Sequence, residues 1–214
     1  MEKASYIQNY IVFALFILLC SCKTDYYFDG GVLPENAGKL NVSTVDYLKQ
    51  NASQFDTLVI LLQLTGLEEV VNRANTTFMA PRNYSISNYF KIRFLQMENP
   101  PTDIYKMPEE LVQEIKMILG NYIIPNEKIT IDNLTPSYSY FTTFSDQTAR
   151  FNILRSDYLG NVNKGAELIN FSLNKSLNPD IENYRSVLVN TSNLHSTTGI
   201  IHLLDSDTHV FGFN

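Results

Sequence analysis

Hydrophobic positions in the first half of the chain repeat with the period of an α-helix. After Ser53, apolar side chains follow the i, i+3, i+4, i+7 spacing of a buried helical face up to Gly66. Glycine suits the position just beyond a helix end, so this helix is expected to end there. The same reasoning predicts helices from Ser43 or Thr44 to residue 50, over about 67–73, and from Pro108, at the first helical position, to Gly120.

The second half of the chain changes to a period of two, which marks strands with one buried face. Between residues 149 and 154, apolar side chains alternate with Arg150 and Asn152. Helices followed by strands predict an α+β fold, in which a helical N-terminal half packs on a β-sandwich or partly closed barrel. The predicted strands are 121–124, 128–131, 138–144, 149–154, 167–173, 185–191, 199–204 and 209–213.

An uninterrupted apolar run occupies residues 11–19. A bilayer-spanning helix needs about 20 such residues, so this run fits the apolar region of a signal peptide better than a membrane span. Leu19 and the three residues after it, Cys-Ser-Cys, resemble a bacterial lipobox, whose Cys is lipidated and becomes the first residue. Cys22 fits that position best, and Cys20 is the alternative. The other interpretation is an ordinary cleaved signal followed by an incidental Cys pair.

Lipidation at Cys22 would divide the chain into three parts. Residues 1–21 would be a lipoprotein signal peptide, residues 22–40 a lipidated tether with three Gly and one Pro, and residues 41–214 the folded domain. Each buried methylene of an acyl chain contributes ~0.8 kcal/mol to membrane binding. The expected location is therefore the outer membrane, with the domain at the cell surface or, alternatively, facing the periplasm.

Composition and motifs argue against several classes of function. The formal net charge is −6, whereas nucleic-acid binding depends on clustered Lys and Arg. Three His and two Cys are few ligands for zinc. The sequence has no Gly-x-Ser-x-Gly elbow, P-loop or His-Glu-x-x-His motif. We therefore expect a protein that is not an enzyme, holds no cofactor or metal, and does not bind nucleic acid.

Two groups of side chains are candidates for function. His195, His202 and His209 are spaced by seven, but an odd separation along a strand points side chains to opposite faces. A structural role is therefore expected for them, with metal binding or pH sensing as the alternative. Tyr138 and Tyr140 share one face of a predicted strand, and their rings could stack on the faces of sugars. They are possible ligand-binding residues, unless this face packs into the core.

Two segments resemble the motifs of the fasciclin domain. Residues 76–84, Thr-Thr-Phe-Met-Ala-Pro-Arg-Asn-Tyr, resemble the first motif, in which Thr-x-Phe-Ala-Pro-Thr-Asn/Asp recurs. Residues 197–205, Thr-Thr-Gly-Ile-Ile-His-Leu-Leu-Asp, resemble the second, Thr-Asn-Gly-Val-Ile-His-Val-Ile-Asp. The resemblance covers residues 41–214 and implies a fasciclin-like fold. The family-motif residues are Thr77, Met79, Ala80, Pro81, Gly199 and His202.

The chain also departs from the family pattern. Tyr122 stands where the family often has the His of a Tyr-His pair, and Arg82 replaces the usual Thr of the first motif. Residues 191–195, just before the second motif, lack the acidic segment linked to integrin binding in animal members. Integrin-style adhesion is therefore not implied.

The C-terminal segment, residues 209–214, resembles that of fasciclin-like lipoproteins of the Bacteroidetes. Many of these appear alongside SusC/SusD-type glycan-uptake systems of the outer membrane. The resemblance implies a non-catalytic binding module accessory to such a complex. Its partners would be the membrane, through the lipid anchor, an outer-membrane transporter or SusD-like lipoprotein, and a glycan. The alternative is a cell-adhesion or matrix-binding surface protein.

Overall fold

A computed structural model of the chain describes residues 37–157, 162, 165–176, 178, 181–205 and 207–213. The predicted signal peptide, both Cys residues and the predicted tether up to residue 36 lie outside the described residues. Gly38–Asn214 forms one compact unit. Within the described part of the chain, none of the helices combines the length and apolar character that a membrane span requires.

Helices dominate the first part of the compact unit and strands the second, as the sequence predicts. The α-helices are α1 (Thr44–Gln50), α2 (Ala52–Thr65), α3 (Glu68–Val71), α4 (Asn83–Leu95) and α5 (Glu109–Gly120). The strands are β1 (Thr76–Ala80), β2 (Ile123–Ile124), β3 (Ser139–Thr142), β4 (Thr148–Arg155), β5 (Glu167–Asn174), β6 (Tyr184–His195) and β7 (Gly199–Leu204). Short 3-10 turns occupy Ile104–Lys106, Ile131–Asn133 and Phe211–Phe213.

The strands form one seven-stranded sheet in the order β2-β1-β7-β6-β5-β4-β3. β1 and β7 run parallel, and the other neighbours pair antiparallel. β6 changes register twice against β7, between Val189 and Leu194, and such bulges bend and twist a strand. β2 and β3 are the two edges of the sheet. Just after β3, the amide of Phe144 donates to the carbonyl of Ile123 in β2 at 2.9 Å. The predicted α+β architecture, a helical half packed on a nearly closed, barrel-like sheet, is confirmed.

The central helix α2 packs on α1, α4 and α5, and its apolar side chains are buried as the periodicity predicts. Gly66 follows it with φ 69°, the left-handed conformation that glycine tolerates best. α4 and α5 are joined by an ion pair between Arg93 and Glu114 at 2.9 Å. The hydroxyl of buried Tyr89 donates to the same carboxylate at 2.7 Å. Burial and this hydrogen bond raise the pKa of Tyr89.

The C-terminal segment 209–213 was predicted as a strand, and this prediction is wrong. Gly212 adopts φ 81°, which breaks the extended conformation and forms a 3-10 turn. The turn places Phe211 and Phe213 in the core, where the Phe211 ring stacks on Tyr122 at 5.5 Å between centroids. The alternating apolar residues Phe211 and Phe213 are therefore two core contacts of a turn, although their spacing is that of a strand.

Several other parts of the structure differ from the sequence prediction. Residues 128–131 form no strand, and a 3-10 turn covers Ile131–Asn133 instead. Periodicity predicts neither the strand β1 nor the helix α4, because β1 is buried on both faces and α4 has little contrast between its faces. Pro108, predicted as the first helical residue, is instead the N-cap of α5, one position before its first helical residue Glu109. Residues 38–40, assigned to the tether, hydrogen-bond with His195 through both of its backbone groups.

Gly199 allows β1 and β7 to approach, and its replacement tests the importance of this pair. A Cβ at position 199 would overlap the carbonyl oxygen of Thr76. Because backbone cannot move aside as a flexible side chain can, Gly199→Ala should destabilise the domain by about 2 kcal/mol or more. For a domain of this size the thermal midpoint should fall by roughly 4–8 °C in a circular-dichroism melt.

Gly66→Ala is the matched control, because the space around Gly66 is open. Its cost comes from positive φ alone, about 1 kcal/mol. A midpoint for Gly199→Ala that equals or exceeds that of Gly66→Ala would contradict the close-approach argument.

Candidate binding face on the sheet

Strands β3–β6 present a polar and aromatic surface on the side opposite the core. The strand register aligns Tyr140, Arg150, Ser172 and Ser186 in one row across the four strands. Side chains two positions away along a strand point to the same side. We call this surface the outer face and define it by Tyr138, Tyr140, Arg150, Asn152, Asn170, Ser172, Tyr184 and Ser186.

Arg150 lies between two aromatic rings on the outer face. Its guanidinium carbon is 3.9 Å from the ring centroid of Tyr138 and 3.8 Å from that of Tyr184. Such contacts combine cation–π attraction with planar stacking, and they fix the orientation of the guanidinium. Only 16% of the Arg150 side chain is exposed, and its Nη1 lies 3.9 Å from a carboxylate oxygen of Glu182. Burial raises the pKa of Tyr184, which keeps its hydroxyl protonated.

Beneath these larger side chains, the outer face carries small polar groups that satisfy one another. The side-chain amide of Asn170 donates to the amide oxygen of Asn152 at 2.9 Å, and the hydroxyls of Ser172 and Ser186 are 2.8 Å apart. Asn152, Asn170 and Ser172 are buried, although they point away from the core. This hydrogen-bonded layer holds β4–β6 in register and supports the aromatic side chains above it.

The spacing of Tyr138 and Tyr140 does not decide whether their rings pack into the core or face solvent. The structure shows both rings exposed, by 45% and 54%, with centroids 6.5 Å apart. Tyr140 also borders a groove of about 500 Å³ between β3 and residues 124–127. Arg150, Tyr184 and Glu182 are not among the site residues predicted from the sequence. The sequence pattern shows Arg150 only as a polar residue of an alternating strand. The register of β4, β5 and β6 brings Tyr184 next to Arg150.

The predicted family-motif residues lie elsewhere, in the interior around β1 and β7. The hydroxyl of Thr77 donates to the carbonyl of Glu127 at 2.7 Å and accepts from the amide of Ile129 at 2.9 Å. Met79 and Ala80 are fully buried in β1, Pro81 is buried just after it, and Gly199 begins β7. Thr77 therefore holds residues 127–129 against β1, and none of the motif residues belongs to the outer face.

His202 is fully buried in β7, and both nitrogens of its ring have partners. Nδ1 accepts from the amide of Asn193 at 3.3 Å, so Nε2 carries the proton and donates to the carbonyl of Ile129 at 2.9 Å. Burial lowers the pKa of His202 to about 4. The imidazole is therefore neutral near pH 7 and links β7 to β6 and to the segment that also binds Thr77.

His209 is buried against Tyr122. The Tyr122 oxygen accepts from the amide of Gly212 at 2.8 Å, so its hydroxyl proton is free to donate to Nε2 of His209, also at 2.8 Å. Burial lowers the pKa of His209 to about 4 and raises the pKa of Tyr122. His195 lies at the exposed end of β6. Among the described residues, no group of three or more His, Cys, Asp and Glu side chains could hold a metal ion.

Comparison with known proteins agrees with this arrangement. The model of the fasciclin domain family matches residues 53–206, most of the compact unit. The chain belongs to the fasciclin domain family. Fasciclin domains are generally non-catalytic binding modules and are associated with adhesion. The matched region contains the outer face as well as β1 and β7.

The fasciclin domain is also similar to a solved structure of a FAS1 domain pair from the insect cell adhesion molecule Fasciclin I. The two share 16% sequence identity with a TM-score of 0.46, over 72% of this chain and 43% of the other. The similarity therefore spans less than half of that domain pair. A search of curated protein sequences found no match to the chain.

The two buried His residues should make the stability of the fasciclin domain depend on pH. In the unfolded chain a His has a pKa of about 6.5, so between pH 6.5 and 4 the unfolded state binds more protons than the folded state. Stability should therefore fall as the pH falls through this window. The loss at pH 5 should be about 2 kcal/mol for each of His202 and His209. Urea unfolding at pH 7 and pH 5 measures it.

Two variants identify the groups responsible. His209→Gln should remove about half of the difference between pH 7 and pH 5, whereas His195→Gln, at an exposed position, should leave the difference unchanged. Equal unfolding free energies of the unsubstituted protein at the two pH values would show that these His residues are not held neutral by burial.

Proposed function

We propose that this fasciclin domain is a non-catalytic glycan-binding module of the cell envelope and that glycans bind to its outer face. The observation that carries the proposal is the exposure of Tyr138 and Tyr140 side by side, with Tyr140 at the border of a groove of about 500 Å³. An aromatic ring offers an apolar surface to the C–H face of a sugar, and its hydroxyl can bond to a sugar hydroxyl. A groove of this size suits a small number of sugar residues.

The rigidity of the site also supports binding. Tyr138 stacks on Arg150, and the hydrogen-bonded Asn and Ser side chains of β4–β6 lie beneath. A side chain that is already ordered loses less conformational entropy when a ligand binds, which leaves more of the contact energy for affinity.

For the location and partners, we propose a lipid anchor at Cys22, with Cys20 as the alternative, in the outer membrane. The domain would act at the cell surface, or alternatively in the periplasm, as an accessory of a SusC/SusD-like glycan-uptake complex. Support comes from the lipobox-like segment 19–22 and from the resemblance of residues 209–214 to lipoproteins of the Bacteroidetes. The alternative is a cell-adhesion or matrix-binding surface protein, a role associated with the family.

Purification of the tagged full chain from gently solubilised outer membranes tests the proposed partners. We expect a TonB-dependent transporter and a SusD-like lipoprotein to co-purify in comparable amounts, as identified by mass spectrometry. Cys22→Ala should release the protein from the membrane fraction, while Cys20→Ala should not. Recovery of the protein alone would contradict the uptake complex and favour the adhesion alternative.

Substitution of the exposed rings tests the proposed binding face. Tyr140→Ala and Tyr138→Ala should each weaken binding to the glycans recognised on a glycan array by roughly tenfold, because each removes a stacking surface worth about 1 kcal/mol or more. Tyr105→Ala is the matched control, since Tyr105 is 63% exposed but lies on the 3-10 turn Ile104–Lys106. The absence of binding to any glycan on the array, or equal losses in all three variants, would contradict this proposal.

A further inference from the structure

We propose that the outer face selects acidic saccharides and binds a sugar carboxylate at the edge of the Arg150 guanidinium. This inference rests on the proposed glycan binding and specifies its ligand class. Tyr138 and Tyr140 would provide the surface for the sugar ring, and Arg150 would provide the charge.

The stack around Arg150 determines which part of the guanidinium a ligand can reach. Tyr138 and Tyr184 cover its two faces at 3.9 and 3.8 Å, so a ligand can approach only along the edge that carries the N–H donors. A guanidinium edge matches the two oxygens of a carboxylate in a bidentate pair. A neutral sugar hydroxyl cannot form such a pair.

The hydrogen-bonding capacity of Arg150 is largely unused within the described residues. Its Nε is buried without a hydrogen-bond partner there, so the Nη groups form the part of the edge that a ligand can reach. Its ion-pair partner Glu182 is 3.9 Å away, longer than a hydrogen bond, and the Glu182 side chain is 69% exposed. An ion pair at this distance with an exposed carboxylate contributes little stability, so a better-placed carboxylate can displace Glu182. Glu182 therefore acts as a weak competitor for the ligand.

The positions of the aromatic rings allow a single ligand to contact the rings and the positive charge of Arg150 at the same time. Tyr140 lies directly opposite Arg150 on the neighbouring strand, and such paired side chains begin about 5 Å apart. A sugar ring stacked on Tyr140 can therefore direct a carboxylate on that ring to Arg150. Since the whole chain carries a net charge of −6, long-range attraction does not favour an acidic polymer, and local contacts must provide the selectivity.

Matched charged and neutral polymers test the inference with the full chain in mild detergent. Binding to polygalacturonate is compared with binding to its methyl ester, and binding to hyaluronan with binding to carboxyl-reduced hyaluronan. We expect at least tenfold tighter binding to the charged member of at least one pair. Arg150→Lys keeps the charge but loses the planar edge, and it should remove this preference for the charged member.

Two further variants keep the test decisive if Arg150→Lys folds poorly. Glu182→Gln, at an exposed position, should tighten binding to the charged polymer by roughly two- to fivefold without changing that to the neutral one. Arg185→Gln is the matched control, because Arg185 is exposed at the start of β6 and points to the side opposite Arg150, and it should change neither.

The possible failures have different meanings. Equal binding to the charged and neutral members of both pairs would overturn the acidic-sugar inference but leave glycan binding intact. No binding to any saccharide would overturn the proposed function itself. Binding to poly-glutamate as tight as that to polygalacturonate would also overturn the inference, because charge without a sugar ring would then be sufficient.

Discussion

The parallel pair of β1 and β7 joins two parts of the chain that are more than one hundred residues apart, and the rest of the fold depends on it. Met79 lies beside His202 in this pair, so the two sequence motifs meet in space. Thr77 and His202 then hold the segment 127–129 from adjacent strands. Because both strands are buried on both faces, they can be covered only when the helices pack on one side and this segment lies on the other.

Much of the fold could be predicted from periodicity, because α2, α5 and β4 each have one apolar and one polar face. Periodicity did not predict the elements in which this contrast is absent. β1 is buried throughout, and α4 mixes apolar and polar residues around its circumference. The turn at Phe211–Phe213 alternates like a strand, but Gly212 changes the backbone direction there. Such cases depend on tertiary contacts, which a local pattern does not contain.

The candidate site was only partly predictable for a related reason. The two-residue spacing of Tyr138 and Tyr140 is sufficient to place them on one strand face. Their relation to Arg150 depends on the register of β3 against β4, and the contact with Tyr184 depends on two further hairpins. Register is set by the lengths and conformations of the connecting turns, so an error of one residue would move Arg150 to the core side.

The motif residues and the candidate site lie in different parts of the sheet, and this separation explains why membership of the family does not determine the ligand. Thr77, Gly199 and His202 support the strand pair β1–β7 from the interior. Tyr140 and Arg150 lie on the outer face of β3 and β4, where substitutions leave that pair intact. Related chains can therefore keep the same core and change the side chains of the outer face, and the chemistry of that face, more than the fold, defines what each domain binds.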